Sequence, residues 1–145
     1  MMQLKDFYFA DRHAEGSRMS IMLPSGADSG EWLQVRGPDC DESIKAGRAY
    51  TAAIRQLNDD LAALEAKCKA KEDFSEYNDQ HGYAVERLNK DLAEAIVTGW
   101  SFTTDDVPEP FTPEAFRALL EQYRGLAEMV AKHHTTSRDA LNAKL

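Results

Sequence analysis

Cysteine is nearly missing from this chain: Cys40 and Cys68 are the only two in 145 residues, and they form neither a CxxC pair nor a zinc-like spacing. A disulfide framework and a zinc-held core are therefore not expected, and both residues read as reduced thiols of a cytoplasmic protein. Long apolar runs are missing too. No stretch approaches the roughly 20 residues of a membrane-spanning helix, and Met1-Met2-Gln3-Leu4-Lys5-Asp6 lacks the hydrophobic region of a signal peptide. The expectation is a soluble protein that stays where it is made, with no membrane partner.

Positive charge is also scarce, with 17 Lys and Arg against 25 Asp and Glu for a net charge of −8. Binding that relies on phosphate neutralisation needs clustered Lys and Arg, so a nucleic-acid partner is not expected. The acidity is uneven. From Thr112 onward Glu114, Glu121, Glu128 and Asp139 are outweighed by Arg117, Arg124, Lys132, Arg138 and Lys144, so the negative surplus lies upstream. It reads as solvated helix faces or as an acidic surface for a basic partner.

The signatures of catalysis are absent as well. The chain has no GxxxxGK[ST], GxGxxG or GxSxG, and its histidines, His13, His81, His133 and His134, form no HExxH. His133 and His134 are helix neighbours pointing in different directions, which suits a surface imidazole beside a partly buried one rather than a shared ion. Asp59-Asp60 on a charged helix and Asp105-Asp106 in a loop are adjacent acids without a sign of the burial that would split their pKa values. No enzyme activity, cofactor or metal is expected.

What the chain does contain is a sequence of strong structural signals. Met19, Ile21 and Leu23 alternate with Arg18, Ser20 and Met22; after the loop Pro24 to Gly30, Leu33 and Val35 alternate with Trp32 and Gln34. This pattern predicts a β-hairpin with a seven-residue connection, and Phe7-Tyr8-Phe9 offers a third strand. Gly37-Pro38-Asp39-Cys40-Asp41 ends the second strand and opens a helix with Asp39 or Asp41 as N-cap. Along that helix Ile44, Ile54, Leu57, Leu61, Leu64 and Cys68 fall largely on one face, with a coiled-coil-like alternation from Ile54.

Lys69 to Asp73 is a charged break or a continuation. A second helix follows from about Phe74 to Thr98, its apolar side formed by Val85, Leu88, Leu92 and Ala95 or Ile96, with Gly99 as its C′ residue. The connector from Gly99 to Phe111 is rich in aromatics and proline. Thr112 as N-cap, Pro113 at N1, Glu114 in the first turn, and Phe111 and Phe116 at staple spacing predict a helix from Pro113 to about Gln122. A fourth helix from about Arg124 carries Leu126, Met129, Val130, His133 and Leu141 in register.

The resulting expectation is one α+β domain, mostly α, over 1–145: a β-hairpin region at 1–38, a long helical region at 39–98, an aromatic connector at 99–111 and C-terminal helices at 112–145. A small N-terminal antiparallel element of two or three strands packs on about four helices. Trp32 and Trp100 suit core or hinge packing, or partner anchors if exposed. Tyr123 with Met129 and Val130 suits a groove for a partner helix.

Four segments carry a family resemblance, the last in a weakened form. Trp32-Leu33-Gln34-Val35-Arg36-Gly37-Pro38-Asp39-Cys40-Asp41 is similar to a strand ending in a Gly-Pro-Asp-Ser-Asp turn, with Cys40 where the family has Ser. Val97-Thr98-Gly99-Trp100-Ser101-Phe102 and Pro110-Phe111-Thr112-Pro113-Glu114 follow in the same order, and Ser137-Arg138-Asp139-Ala140-Leu141 resembles a weakened closing element. In these segments the chain resembles the tail assembly chaperones of long non-contractile-tailed bacteriophages, in their shorter, non-frameshifted form.

The resemblance implies a non-enzymatic protein of the host cytoplasm that binds the helical tape measure protein and keeps it soluble. Its further expected partners are tail tube subunits, through a longer frameshifted form, and other copies of itself. The expected docking face is Trp100, Phe102, Phe111, Phe116, Leu120 and Tyr123, part core and part surface. The competing expectations are a structural minor tail or head-to-tail connector protein, and a small regulator acting by helical oligomerisation.

Overall fold

Alternation does produce the first two strands. Ser17–Met22 (β1) buries Met19 and Ile21 while Arg18, Ser20 and Met22 stay exposed, and Asp28–Val35 (β2) seals Leu33 and Val35 completely. They pair antiparallel, Ser17 opposite Val35 and Met22 opposite Asp28, with a register irregularity between Ser20 and Met22. The connection is shorter than expected, because Asp28, Ser29 and Gly30 belong to β2. The turn is closed by Leu23 N–H donating to Ala27 O at 2.8 Å and Gly26 N–H to Leu23 O at 2.8 Å. The computed structural model describes residues 1–143.

The third strand is not Phe7-Tyr8-Phe9. Leu4–Phe7 is a 3-10 turn and Phe9–Glu15 is a helix (α1), with Gln3 N–H donating to the Asp6 carboxylate at 2.7 Å and the Arg12 guanidinium 4.9 Å above the Phe9 ring. Three aromatics in a row carry no period, so a local turn stabilised by its own polar contacts prevails. Gly16 ends α1 at φ +78°, where an added Cβ would overlap the Val35 carbonyl.

The vacant edge of β2 is filled from across the chain. Val97–Trp100 (β3) pairs antiparallel with it, Leu33 opposite Trp100, Gln34 opposite Gly99 and Val35 opposite Val97, giving the sheet order β1-β2-β3. Gly99 is thus a strand residue without a positive φ, not a helix C′. The preceding helix stops at Ile96, whose carbonyl accepts the Arg36 N–H at 2.8 Å. Pairing with β2 satisfies the orphan carbonyl that a left-handed cap would otherwise serve.

Between the strands, Asp41–Lys71 (α2) and Ser75–Ile96 (α3) form a helical hairpin. The N-cap of α2 is Cys40, not an aspartate: the Asp39 carboxylate is held by Arg138 and Asp41 already lies in the first turn. The stretch Lys69 to Asp73 is part continuation and part break: Lys69 to Lys71 end α2, Glu72 is left-handed at φ 56°, and Asp73 accepts the Ser75 N–H at 3.0 Å to start α3. A 31-residue helix is about 46 Å long at 1.5 Å per residue, and Ile54, Leu57, Leu61 and Leu64 are half-buried along it. Ile44 departs from the expected stripe and is 43% exposed.

After β3, Thr103–Thr104 (β4) and Val107–Pro108 (β5) make a small hairpin within the connector, turned by Asp105 and Asp106 at φ 53° and 63°. Both turn residues are left-handed, as a tight hairpin requires, and Asp tolerates this better than most residues. Pro113–Gln122 (α4) follows with the expected boundaries. The last expected helix is two, Leu126–Thr136 (α5) and Arg138–Ala143 (α6), divided at Ser137.

The fold is α+β, mostly α, with six α-helices among the described residues rather than about four. One hydrophobic cluster joins Leu33 and Val35 of the sheet to Ala93 and Ile96 of α3, Phe116 and Leu120 of α4, and Leu126 and Val130 of α5. No helix among the described residues is long and apolar enough to cross a membrane. Phe116 is the largest sealed side chain. Phe116→Ala is expected to cost about 3–5 kcal/mol in urea unfolding, against about 0.5 kcal/mol or less for the exposed Tyr83→Ala.

Candidate partner-binding site

The connector is a folded aromatic stack. The Trp100 ring meets Phe102 edge-on at 5.3 Å and Phe111 edge-on at 5.1 Å, and Phe111 tilts against Phe116 at 5.6 Å. The Phe111 and Phe116 contact is the hydrophobic staple that their spacing predicts, and it fixes the angle at which the connector enters α4. Thr112 Oγ1 accepts the Ala115 N–H at 3.0 Å, completing the cap. Trp100 Nε1–H donates to Glu109 O at 2.8 Å, and Glu109 N–H to Phe102 O at 2.9 Å, so the ring clamps both ends of the β4-β5 hairpin.

The six expected docking residues divide by burial. Phe116 and Leu120 are 0% and 1% exposed and form the floor of the site. Trp100, Phe102 and Phe111 are half-buried above them, and Tyr123, also half-buried, reaches away to donate its hydroxyl proton to Met22 O. Beside the stack lies an open groove of about 320 Å³, lined by Trp100, Phe102, Thr104, Glu109, Ala115 and Leu119 among others. Of the expected groove residues on α5, Met129 is half-buried and Val130 fully sealed.

Polar bonds lock the stack to the sheet. Ser101 N–H donates to Trp32 O at 3.1 Å, Trp32 N–H donates to Ser101 Oγ at 2.8 Å, and Ser101 Oγ–H donates to the Glu31 carboxylate at 2.5 Å. Trp32 itself is half-buried with the Arg18 guanidinium 4.0 Å over its ring, a contact that shields one aromatic face.

A charged network behind the site holds α4 on α3, and no motif in the sequence assembles it. Arg117 reaches Asp91 at 2.7 Å, Glu94 at 2.6 Å and Glu121 at 3.1 Å, while Lys90 bonds Glu121 at 3.0 Å and Arg124 bonds Glu86 at 3.3 Å. The hydrogen bond to Asp91, then those to Glu94 and Glu121, raise the Arg117 pKa against the opposing effect of burial. Hydrogen bonds from Lys90 and Arg117 lower that of Glu121. The i,i+4 spacings Glu86 to Lys90 and Arg117 to Glu121 were the available signal.

A second groove, about 250 Å³, runs between α2 and α3 and is walled by Ala46, Ala49 and Ala53 against Leu88, Leu92 and Ala95. The adjacent acids are apart from both grooves: Asp60 accepts a bond from Gln56 on the exposed side of α2, and Asp105-Asp106 turn an exposed hairpin. Neither member of the His133-His134 pair is a surface residue. His133 is half-buried against Ser17 Oγ at 2.7 Å, and His134 is buried with Nδ1–H donating to Arg36 O at 2.7 Å. No group of three or more metal-ligating side chains occurs among the described residues.

The arrangement can present rigid apolar and aromatic surface, and its capping threonine sets the rigidity. Thr112→Ala is expected to cost about 1 kcal/mol, and Thr112→Ser a small fraction of that, measured as shifts in the urea midpoint. No family model, curated protein or solved structure matches the chain.

Proposed function

We propose that this protein is a phage tail assembly chaperone that binds the helical tape measure protein in the host cytoplasm and keeps it soluble until the tail tube encloses it. The observation that carries the reading is the aromatic connector: half-buried Trp100, Phe102 and Phe111 pack over a sealed floor of Phe116 and Leu120, beside an open groove. A rigid aromatic rim over a packed base loses little side-chain freedom on binding, which favours docking of an apolar helix face. The segments of family resemblance also meet in space, since Leu33 to Val35 pairs with Val97 to Trp100 and Trp100 stacks on Phe111.

In this reading the docking surface is the rim, and Phe116 and Leu120 contribute by holding it. Each contact is weak, and many copies along one long client, together with self-association, give avidity. A longer frameshifted form recruits the tail tube subunits. Exposed apolar faces of the client aggregate unless covered, so solubility is the direct readout.

Co-expression with the tape measure protein is expected to move that protein from the pellet to the soluble fraction. Equal solubility with and without this chain would sink the proposal. Phe102→Ala, which spares the floor, is expected to weaken capture by about 5- to 30-fold.

A further inference from the structure

α2 is the long helix with the least cover. It packs on α3 and, more lightly, on α1, and among the described residues Ala46 is its one member packed against the main hydrophobic cluster. Beyond Tyr50 the hairpin is therefore an arm of two helices. On α2 its seam is half-buried Ile54, Leu57, Leu61 and Leu64, with Cys68 alone sealed. By the 3.6-residue period Arg55, Asp59, Ala62, Ala66 and Ala70 stand roughly half a circle from that seam. All five are exposed, so this outer face has no partner among the described residues.

The charges of the arm fall in blocks of alternating sign. Arg55 is followed by Asp59, Asp60 and Glu65, then by Lys67, Lys69 and Lys71, then by Glu72 and Asp73 at the tip. All are exposed, and none belongs to an ion pair among the described residues. Asp60 accepts only a bond from Gln56, at 2.8 Å. The contrast with the joint between α3 and α4 is sharp, because there Lys90 and Arg117 are each matched to acids.

From this pattern we propose that the outer face of α2 pairs antiparallel with the same face of a second copy of the chain, about a twofold axis near Leu64. Such an axis sets Asp60 opposite the partner's Lys67, Asp59 opposite the partner's Lys69 and Arg55 opposite the partner's Asp73, and symmetry repeats each pair. Asp60 and Lys67 are two helical turns apart on one flank of α2, and antiparallel helices bring equivalent flanks together. A parallel, in-register pairing instead sets acid against acid and lysine against lysine in every block, which is repulsive.

The shape of the arm allows the pairing. The overlap from Arg55 to Lys71 is about 25 Å long at 1.5 Å per residue, and the exposed alanines let the two backbones come close. Leu64 lies about 27 Å along α2 from Ala46, where the helix meets the main cluster. Each body thus sits beyond the tip of the other arm. With little apolar area and its ion pairs near solvent, the interface is weak and sensitive to salt. It gives the self-association in the chaperone reading a surface, but it stands on the charge pattern alone. Its failure is read in the oligomeric state and leaves capture of the tape measure protein untouched.

Sedimentation equilibrium of the full chain over about 10 μM to 1 mM tests the pairing. A monomer–dimer equilibrium is expected, weakening as salt rises from about 50 to 500 mM. Asp59→Lys with Asp60→Lys sets basic residues against basic ones, and Lys67→Glu with Lys69→Glu sets acidic against acidic. Each double variant alone is expected to raise the dimer Kd by about tenfold or more, while an equimolar mixture of the two restores a dimer. Helicity by circular dichroism accompanies both. If either loses it, carbodiimide coupling of mixed isotope-labelled and unlabelled native chain substitutes: amide links between copies should join Asp59 or Asp60 to Lys67 or Lys69. A monomer throughout the range, folded double variants that dimerise as the native chain does, a mixture that stays monomeric, or links between copies only at other segments would each overturn the proposal.

Discussion

The pairing of β3 with β2 is the constraint on which the rest of the structure depends. β2 is the central strand, and its two inward residues, Leu33 and Val35, are fully sealed. By placing Val97 opposite Val35 and Trp100 opposite Leu33, the pairing brings the end of a 22-residue helix back to the N-terminal hairpin. It sets where α3 stops and where the connector starts. An isolated two-stranded hairpin is marginal in water, so β3 both completes the sheet and anchors the aromatic stack that follows it.

The stack and the charged network stabilise the same joint by different physics. Phe111 and Phe116 make a directional contact at the entrance to α4, with Phe116 sealed against the core. Arg117, one residue further along, gathers Asp91, Glu94 and Glu121 on the outside. Exposed ion pairs contribute little singly; this set matters because one guanidinium bridges two helices and fixes how α4 lies on α3. Aromatic rim, buried floor and ionic outer brace together make the connector a rigid element.

Legibility followed locality. The α4 boundaries, the Thr112 cap and the Phe111-Phe116 staple could be read because cap and staple lie within five residues of one another. The β1-β2 hairpin showed through its alternation, and the α2-α3 hairpin through its spacing. The third strand was misplaced because Phe7-Tyr8-Phe9 looks more strand-like than Val97-Thr98-Gly99-Trp100, whose identity comes from a partner some sixty residues away. Which of the six expected docking residues are sealed and which are half-buried is not legible in local pattern, because it depends on packing against the sheet and α3.

By itself the sequence determined the composition-level class, the helical periods, the hairpin and the capped entrance to α4, because each depends on neighbours within a turn or two of chain. Only the tertiary structure decided that Gly99 is a strand residue, that Cys40 stands at the N-cap position of α2 while Asp39 serves Arg138, and that His13, His133 and His134 find their partners in Asn142, Ser17 and the Arg36 carbonyl. These outcomes rest on contacts between residues tens of positions apart. A local pattern offers a backbone group or a side chain several partners, and the packed chain selects among them so that, among the side-chain atoms of the described residues, only Arg12 Nη1 and Arg36 Nε are left buried without a bond.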